Sequence, residues 1–313
     1  MTLLRLLLFS MFFLLLACGR VDSGRGEAGV DEVLIPAGVF VMGSDKLDNQ
    51  DLQKRYGFEQ SLFINERPPH QVQVSAFYMD RLEVSNADYK QFVLATGRAE
   101  PQQWVQNGYN VRDEKLRTAH IDNLRWIASD YFQLDRDTRL MDKQALLLAL
   151  FTMQKQRGLL PVSGVSWFDA DAYCRGLGRR LPSEAEWELA ARGLAGLEYP
   201  WGNDWLSDKT NTGAGRDEDE PLAPRGSFAG DVSPYGVQDM AGNVSEWVLD
   251  WYQAYPGSDL KDRHFGRLHR VVRGGGAGLG HYALSVFYRG ARRAHARPEM
   301  MSTDVGFRCA RDA

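Results

Sequence analysis

An apolar run from Leu6 to Leu16, preceded by Arg5 and closed by Ala17-Cys18, opens the chain. It is too short for the roughly 20 residues a helix needs to cross a bilayer. One positive charge, a short apolar stretch and a small residue before the break are the parts of a secretory signal, so residues 1–17 are expected to be a removed signal peptide. Leu15-Leu-Ala-Cys18 resembles a bacterial lipobox, in which Cys18 becomes the lipidated first residue and acyl chains hold the protein at a membrane. Gly19 after that cysteine resembles outer-membrane sorting in a proteobacterium. The expected location is the bacterial envelope, periplasmic or at the cell surface, with membrane lipid as a partner through Cys18. Residues 18–31 are glycine-rich with little to bury and read as a flexible tether, and the folded domain is expected over 32–311.

This compartment changes the meaning of the cysteines. The chain has three, and with Cys18 spent on lipid only Cys174 and Cys309 remain. An even remainder in an oxidising compartment favours a bridge, with two separate buried thiols as the alternative. Three cysteines exclude a disulfide-dense mini-scaffold and any four-cysteine metal site. A composition 44% apolar and 25% charged is that of an ordinary globular protein, and a net charge of −4 gives no global basic field, so no nucleic-acid partner is expected.

Val33 to Gly43 has β-rich runs broken by Pro36 and Gly38, which predicts a strand, a turn and a second strand; Val72 to Met79 continues the sheet. Ser85-Asn-Ala-Asp88 has capping-box spacing and opens a short helix stopped by Gly97. Ser166 opens a second helix ending at Gly178, and Ser183-Glu-Ala-Glu186 a third ending before Gly193. The segment 98–160 differs in character and reads as inserted or divergent. Within it, Asp137 to Arg157 is expected to be one helix whose apolar face carries Leu140, Met141, Leu147, Leu148, Leu150 and Phe151, covered by its own domain. Beyond residue 195 glycine and proline are frequent, and loops with short strands are expected.

Ile35-Pro-Ala-Gly-Val-Phe-Val-Met-Gly-Ser44, Arg67-Pro-Pro-His70, Phe77-Tyr-Met-Asp-Arg-Leu-Glu-Val-Ser85, Pro161-Val-Ser-Gly-Val-Ser-Trp167, Arg180-Leu-Pro-Ser-Glu-Ala-Glu-Trp-Glu188, Tyr199-Pro-Trp-Gly-Asn203, Tyr235 to Trp247, Val272-Arg-Gly-Gly275 and Gly306-Phe-Arg-Cys309 follow one another in order. As a series they resemble the formylglycine-generating enzyme, or sulfatase-modifying factor, family. The resemblance implies a single α+β domain with little regular secondary structure, a C-type-lectin-like core, loops pinned by calcium, and Cys174–Cys309 as the structural bridge. It also implies where an oxidase of this family carries its copper-binding cysteine pair, just after Arg273-Gly-Gly. Leu279 and Leu284 stand there, and leucine supplies neither a thiolate for Cu(I) nor a nucleophilic sulfur. Gly276 replaces the family's serine and Ser245 its cleft tryptophan. No copper is therefore expected.

By the same resemblance Asp239, Gly242, Val244 and Glu246 match one calcium site, with two carboxylates and two carbonyls forming an oxygen shell. Asn211, Thr212, Asp217 and Asp219 are candidates for a second, against a plain solvated acidic loop. From Arg263 to Pro298 eight arginines and no acidic residue occur, with His264, His269, His281 and His295 among them. Arginine forks suit an anionic ligand, but structural ion pairs are the alternative, and the histidines lack the paired helical spacing of a metal site. The expected ligand cleft is formed by Ser245, Trp247, Gly276, Leu279, His281, Tyr282, Leu284 and Arg289. The expected role is binding or processing of a peptide or small molecule there; a non-copper enzyme of metabolite maturation, or a structural lipoprotein of an envelope assembly, are the alternatives.

Overall fold

Pro36-Ala37 breaks the first β-rich run into β1 (Glu32–Ile35) and β2 (Gly38–Met42), which pair in different sheets. The computed structural model describes residues 31–215, 221–282 and 284–313, with the side chains of positions 280 and 281 excepted. The expected signal peptide, Cys18 and the expected tether up to residue 30 lie outside the described residues, as do Asp217 and Asp219. The run expected to continue the sheet from Val72 to Met79 divides at Ser75-Ala76. It gives β3 (His70–Val74), antiparallel to β2, and β4 (Phe77–Asp80), antiparallel to β1.

A short helix, α1 (Leu52–Tyr56), precedes the capped helix α2 (Asn86–Thr96). There the Ser85 hydroxyl accepts from the Asp88 amide and Gly97 closes the helix at φ 70°. The regular elements of the segment 98–160 are all helical: α3 (Gln102–Asn107), α4 (Asp113–Thr118), α5 (Ile121–Trp126), which runs on into a π-helical turn, Ile127–Tyr131, and α6 (Lys143–Gly158). The helix expected from Asp137 is shorter than that, because Asp142 accepts from the Ala145 amide and caps it; a 3-10 turn, Thr138–Leu140, comes before. That start also sets the face. Leu146 and Leu150 are fully buried, whereas Leu140 and Leu148, expected on the apolar side, are 86% and 69% exposed. The buried pair packs with Leu116, Leu124, Ile127 and Phe132, so the cover comes from the domain itself.

Next, α7 (Trp167–Gly176) and α8 (Glu184–Arg192) start at Ser166 and Ser183, the latter with a reciprocal capping box to Glu186. Among the described residues that follow, the strands are β5 (Ser245–Trp251), β6 (Arg270–Arg273), β7 (Arg293–Ala296), β8 (Val305–Gly306) and β9 (Ala310–Asp312), with two 3-10 turns between β6 and β7. Strands β7-β6-β5-β8 form one sheet, parallel only between β5 and β8, while β9 completes the sheet β1-β4-β9. One core lies between α8 and the strands β1 to β6, with Trp187, Phe77 and Tyr252 at its centre. A second, around Tyr89, Trp167, Trp247 and Phe307, contains the Cys174–Cys309 bridge, whose Cα atoms are 5.6 Å apart. The bridge closes a separation of 135 residues, and in the chain-entropy account loops of that order contribute about 4–5 kcal/mol.

Candidate functional site

The expected cleft begins where β6 ends. Gly274 turns the chain at φ +74°, and the Gly275 amide donates to the Ala241 carbonyl at 2.8 Å. A Cβ on Gly275 would lie 2.5 Å from the Tyr288 ring and 2.8 Å from that carbonyl, so the close approach requires glycine. Two 3-10 turns follow, Ala277–Tyr282 and Ser285–Tyr288. They place Leu279, Tyr282 and Leu284, all partly buried, against Phe58, Leu62, Phe287 and Tyr288. Edge contacts of Phe58 with Tyr282 and Phe287 at 5.3 and 5.7 Å, and stacking of Trp205 on Tyr288 at 5.3 Å, extend this into an aromatic wall. Tyr199 and Trp201 stack beside it.

Other residues expected in the cleft are placed elsewhere. Trp247 is completely buried in the second core and donates from Nε1 to the Val165 carbonyl at 3.0 Å, so it lines no surface. Ser245 is buried and donates to the Gly274 carbonyl. Gly276 is buried against Asp304. Arg289 is 1% exposed, with Nη1 on both oxygens of Glu66 and Nε on Glu198. The side chain of His281 lies outside those described.

Arg289 belongs to a wider pattern. Arg273 donates to Glu184 and, at 2.6 Å, to Glu188; Arg293 makes a two-pronged pair with Glu184 at 2.6 and 3.0 Å. Although burial alone would raise Glu184, these two guanidinium groups hold its carboxyl below the ordinary range. Three of the eight arginines are therefore structural. Arg270 is clasped between the Trp167 and Trp251 rings at 3.6 and 3.5 Å, and burial pushes it down to about 10. Arg292, also pushed down to about 10 by burial, donates to the Gly274 carbonyl at 2.6 Å.

The residues matched to calcium sit in an acid-rich pocket of the core. Glu246 accepts from Arg308 at both oxygens and from Trp187 Nε1 at 2.9 Å, so its carboxylate is saturated. Asp239 accepts from the Gly226 amide and shares a hydrogen bond with Glu83. Glu83 is fully buried, its Oε2 has no hydrogen-bond partner, and burial together with Asp239 pushes its carboxyl well up. Three carboxylates thus face one guanidinium. This excess fits a hard cation with oxygen ligands, for which Asp239 and Glu83 are the acids available. At the second expected site Asn211 is turned inward, donating to the Pro221 carbonyl and Asn243 Oδ1, and the Thr212 carbonyl accepts from Tyr288.

The histidines do what their spacing hid. His264, His269 and His295 come together where the ends of the β6–β7 pair meet the preceding loop; burial and the other two rings push His295 down to about 4, so it is neutral at pH 7.

A sulfatase-modifying factor enzyme 1-like domain is matched over residues 21–313. The chain belongs to the sulfatase-modifying factor family. It is 33% identical over 325 residues to the formylglycine-generating enzyme of Mus musculus, covering 95% of this chain and 79% of that protein. It is 31% identical to the inactive C-alpha-formylglycine-generating enzyme 2 of the same organism, covering 96% and 91%. In structure it is similar to PvdO from Pseudomonas aeruginosa, with a TM-score of 0.57 at 23% identity over 90% of this chain and 94% of that one, a likeness of fold alone. These matches establish the α+β fold of the family expected from the motif series.

Proposed function

We propose that this sulfatase-modifying factor domain is a lipid-anchored, extracytoplasmic binding module that does not generate formylglycine. The observation that carries this reading is the packing of Leu279 and Leu284. At the positions where the family resemblance puts the copper-binding thiols, both leucines are built into the aromatic wall with Phe58, Tyr282 and Phe287. A one-residue shift in alignment brings no sulfur there, and the two cysteines of the domain are consumed in the buried Cys174–Cys309 bridge. Overall identity does not separate the two classes, being 33% to an enzyme and 31% to a relative described as inactive. What supports the second class for this chain is the pair of leucines at positions 279 and 284.

A wall of Leu279, Tyr282, Leu284, Tyr199 and Trp201 suits an apolar or aromatic portion of a peptide or small molecule, with area removed from water as the main attraction. The decisive measurement is mass spectrometry of a cysteine-containing sulfatase-motif peptide after aerobic incubation with copper-treated protein. An unchanged peptide is expected; a protein-dependent loss of about 18 Da at the cysteine overturns the reading. A supporting role for calcium rests on the crowding of Glu83, Asp239 and Glu246 around the Arg308 guanidinium, with the Gly242 and Val244 carbonyls as further ligands by the family resemblance. A hundredfold excess over its dissociation constant is expected to add about 2.7 kcal/mol of stability. Equal melting midpoints with calcium and with chelator would overturn that part.

A further inference from the structure

We propose that Asp262, His264 and His295 form a binding site for a borderline divalent transition metal such as Zn²⁺, separate from the calcium residues and from the Leu279/Leu284 wall. Their potential ligand atoms lie within 4.8 Å of one another, the one such His/Cys/Asp/Glu group among the described residues. Asp262 Oδ1 is 2.8 Å from His264 Nδ1, yet that nitrogen is buried and makes no aligned hydrogen bond. A polar atom left in this state points to an absent partner. His269 Nδ1 faces His295 Nδ1 at 2.8 Å, and the three imidazole rings lie 4.6 to 4.9 Å apart. Metal–nitrogen bonds of about 2.0–2.1 Å require donors to sit closer than this set does as a whole, so binding draws the side chains inward by rotamer adjustment.

The surroundings have the character of an outer shell. Asp262 Oδ2 accepts from Gln60 Nε2 at 2.8 Å and from the Tyr252 hydroxyl at 3.4 Å, while its Oδ1 takes the His264 amide at 2.9 Å. Tyr252 also stacks on the His295 ring at 4.1 Å. Carboxylate orientation by an amide and a phenol, and ring orientation by stacking, are what fix ligands around an ion. Two imidazoles and one carboxylate leave a fourth tetrahedral position open, which is the arrangement of an exchangeable rather than a closed site.

A cavity adjoins the cluster on the His264 side. His264 and His269 line a cavity of about 620 Å³ together with Arg263, Arg267, Arg297 and Glu299. Three arginines against one glutamate beside a divalent ion favour an anionic exogenous ligand, a carboxylate or phosphate.

The test uses the full chain without an affinity tag, stripped with chelator and titrated with Zn²⁺ alone by calorimetry, then with Co²⁺ alone by absorption spectroscopy. One Zn²⁺ per chain is expected, and Co²⁺ should give the intense visible bands of a tetrahedral site, shifting when inorganic phosphate is added. His264→Ala and His295→Ala should weaken Zn²⁺ binding by more than the about 10–100-fold that outer-shell changes cost, and Gln60→Ala should fall within that range. If a ligand variant fails to fold, the Co²⁺ spectrum of the unaltered chain decides by itself. Absence of such bands, less than one ion bound, or binding retained in folded His264→Ala and His295→Ala would overturn the proposal.

Discussion

Two parts of this domain reach order by opposite means. In the segment from α3 to α6 the backbone is largely helical, and what joins the helices is an apolar cluster around Leu146, Leu150 and Phe132. Around β5, β6 and β7 the strands are short and much of the backbone is loop. Here fully buried guanidinium groups hold it: Arg273 and Arg293 on α8 carboxylates, Arg289 on Glu66, and Arg308 on Glu246 and three backbone carbonyls. One arginine carries five directed donors, so it replaces several missing ladder bonds at once. A region of loops needs partners of defined geometry, whereas helices need only a shared apolar face.

That difference should appear in how each region responds to damage. The largest effect is expected from Glu188→Ala. It removes an unexposed carboxylate bonded to the Gly43 amide at 2.7 Å, to Arg273 at 2.6 Å and to Arg192, and leaves buried charges uncompensated. A loss of about 3–5 kcal/mol in denaturant unfolding is expected; a loss below 1 kcal/mol would show that the pairs are decoration. In the helical part Leu150→Ala should cost about 3 kcal/mol as a cavity, and the exposed Leu148→Ala close to nothing. Equal costs at the two positions would break the packing assignment of α6. The smallest effect concerns pH. Burial and the nearby Glu184 push Asp250 up to about 6, while it accepts from the Glu184 amide at 2.6 Å. A carboxyl raised in the folded state contributes stability at low pH that is lost as pH rises from about 4 through 6. Asp250→Asn keeps an acceptor without the charge, so it should be more stable than the parent at pH 7 and lose that advantage at pH 4. An advantage constant with pH would refute the assignment.

The helices with serine caps were readable because caps and apolar spacing act within four residues: Ser85, Ser166 and Ser183 all accept as their spacing suggests. Asp142 carries the same signal, and its cap starts α6 after the expected Asp137 and turns Leu148 outward. The proposed match of Leu279 and Leu284 to the family's copper-cysteine positions rests on the ordered motif series. The histidine cluster could not be read from any such series. His264 and His269 reach His295 only through the β6–β7 register, which pairs Val271 with His295, and no periodicity along one strand encodes it. The same holds for Trp247, whose neighbours in the second core come from residues distant in sequence.

The sheet β1-β4-β9 has β4 in the middle, with residues 32–35 on one side and 310–312 on the other. Arg311 reaches across β4 to Glu32, and Arg179 joins Glu32 to Asp80. β1 can pair with β4 early, since few residues separate them, but the other side of β4 waits for β9, which is far along the chain. Closing a loop of this length is slow, and until then the β4 edge is unpaired and open to wrong partners. Completion of the first sheet therefore depends on residues 310–312, and removing them leaves one side of β4 unpaired.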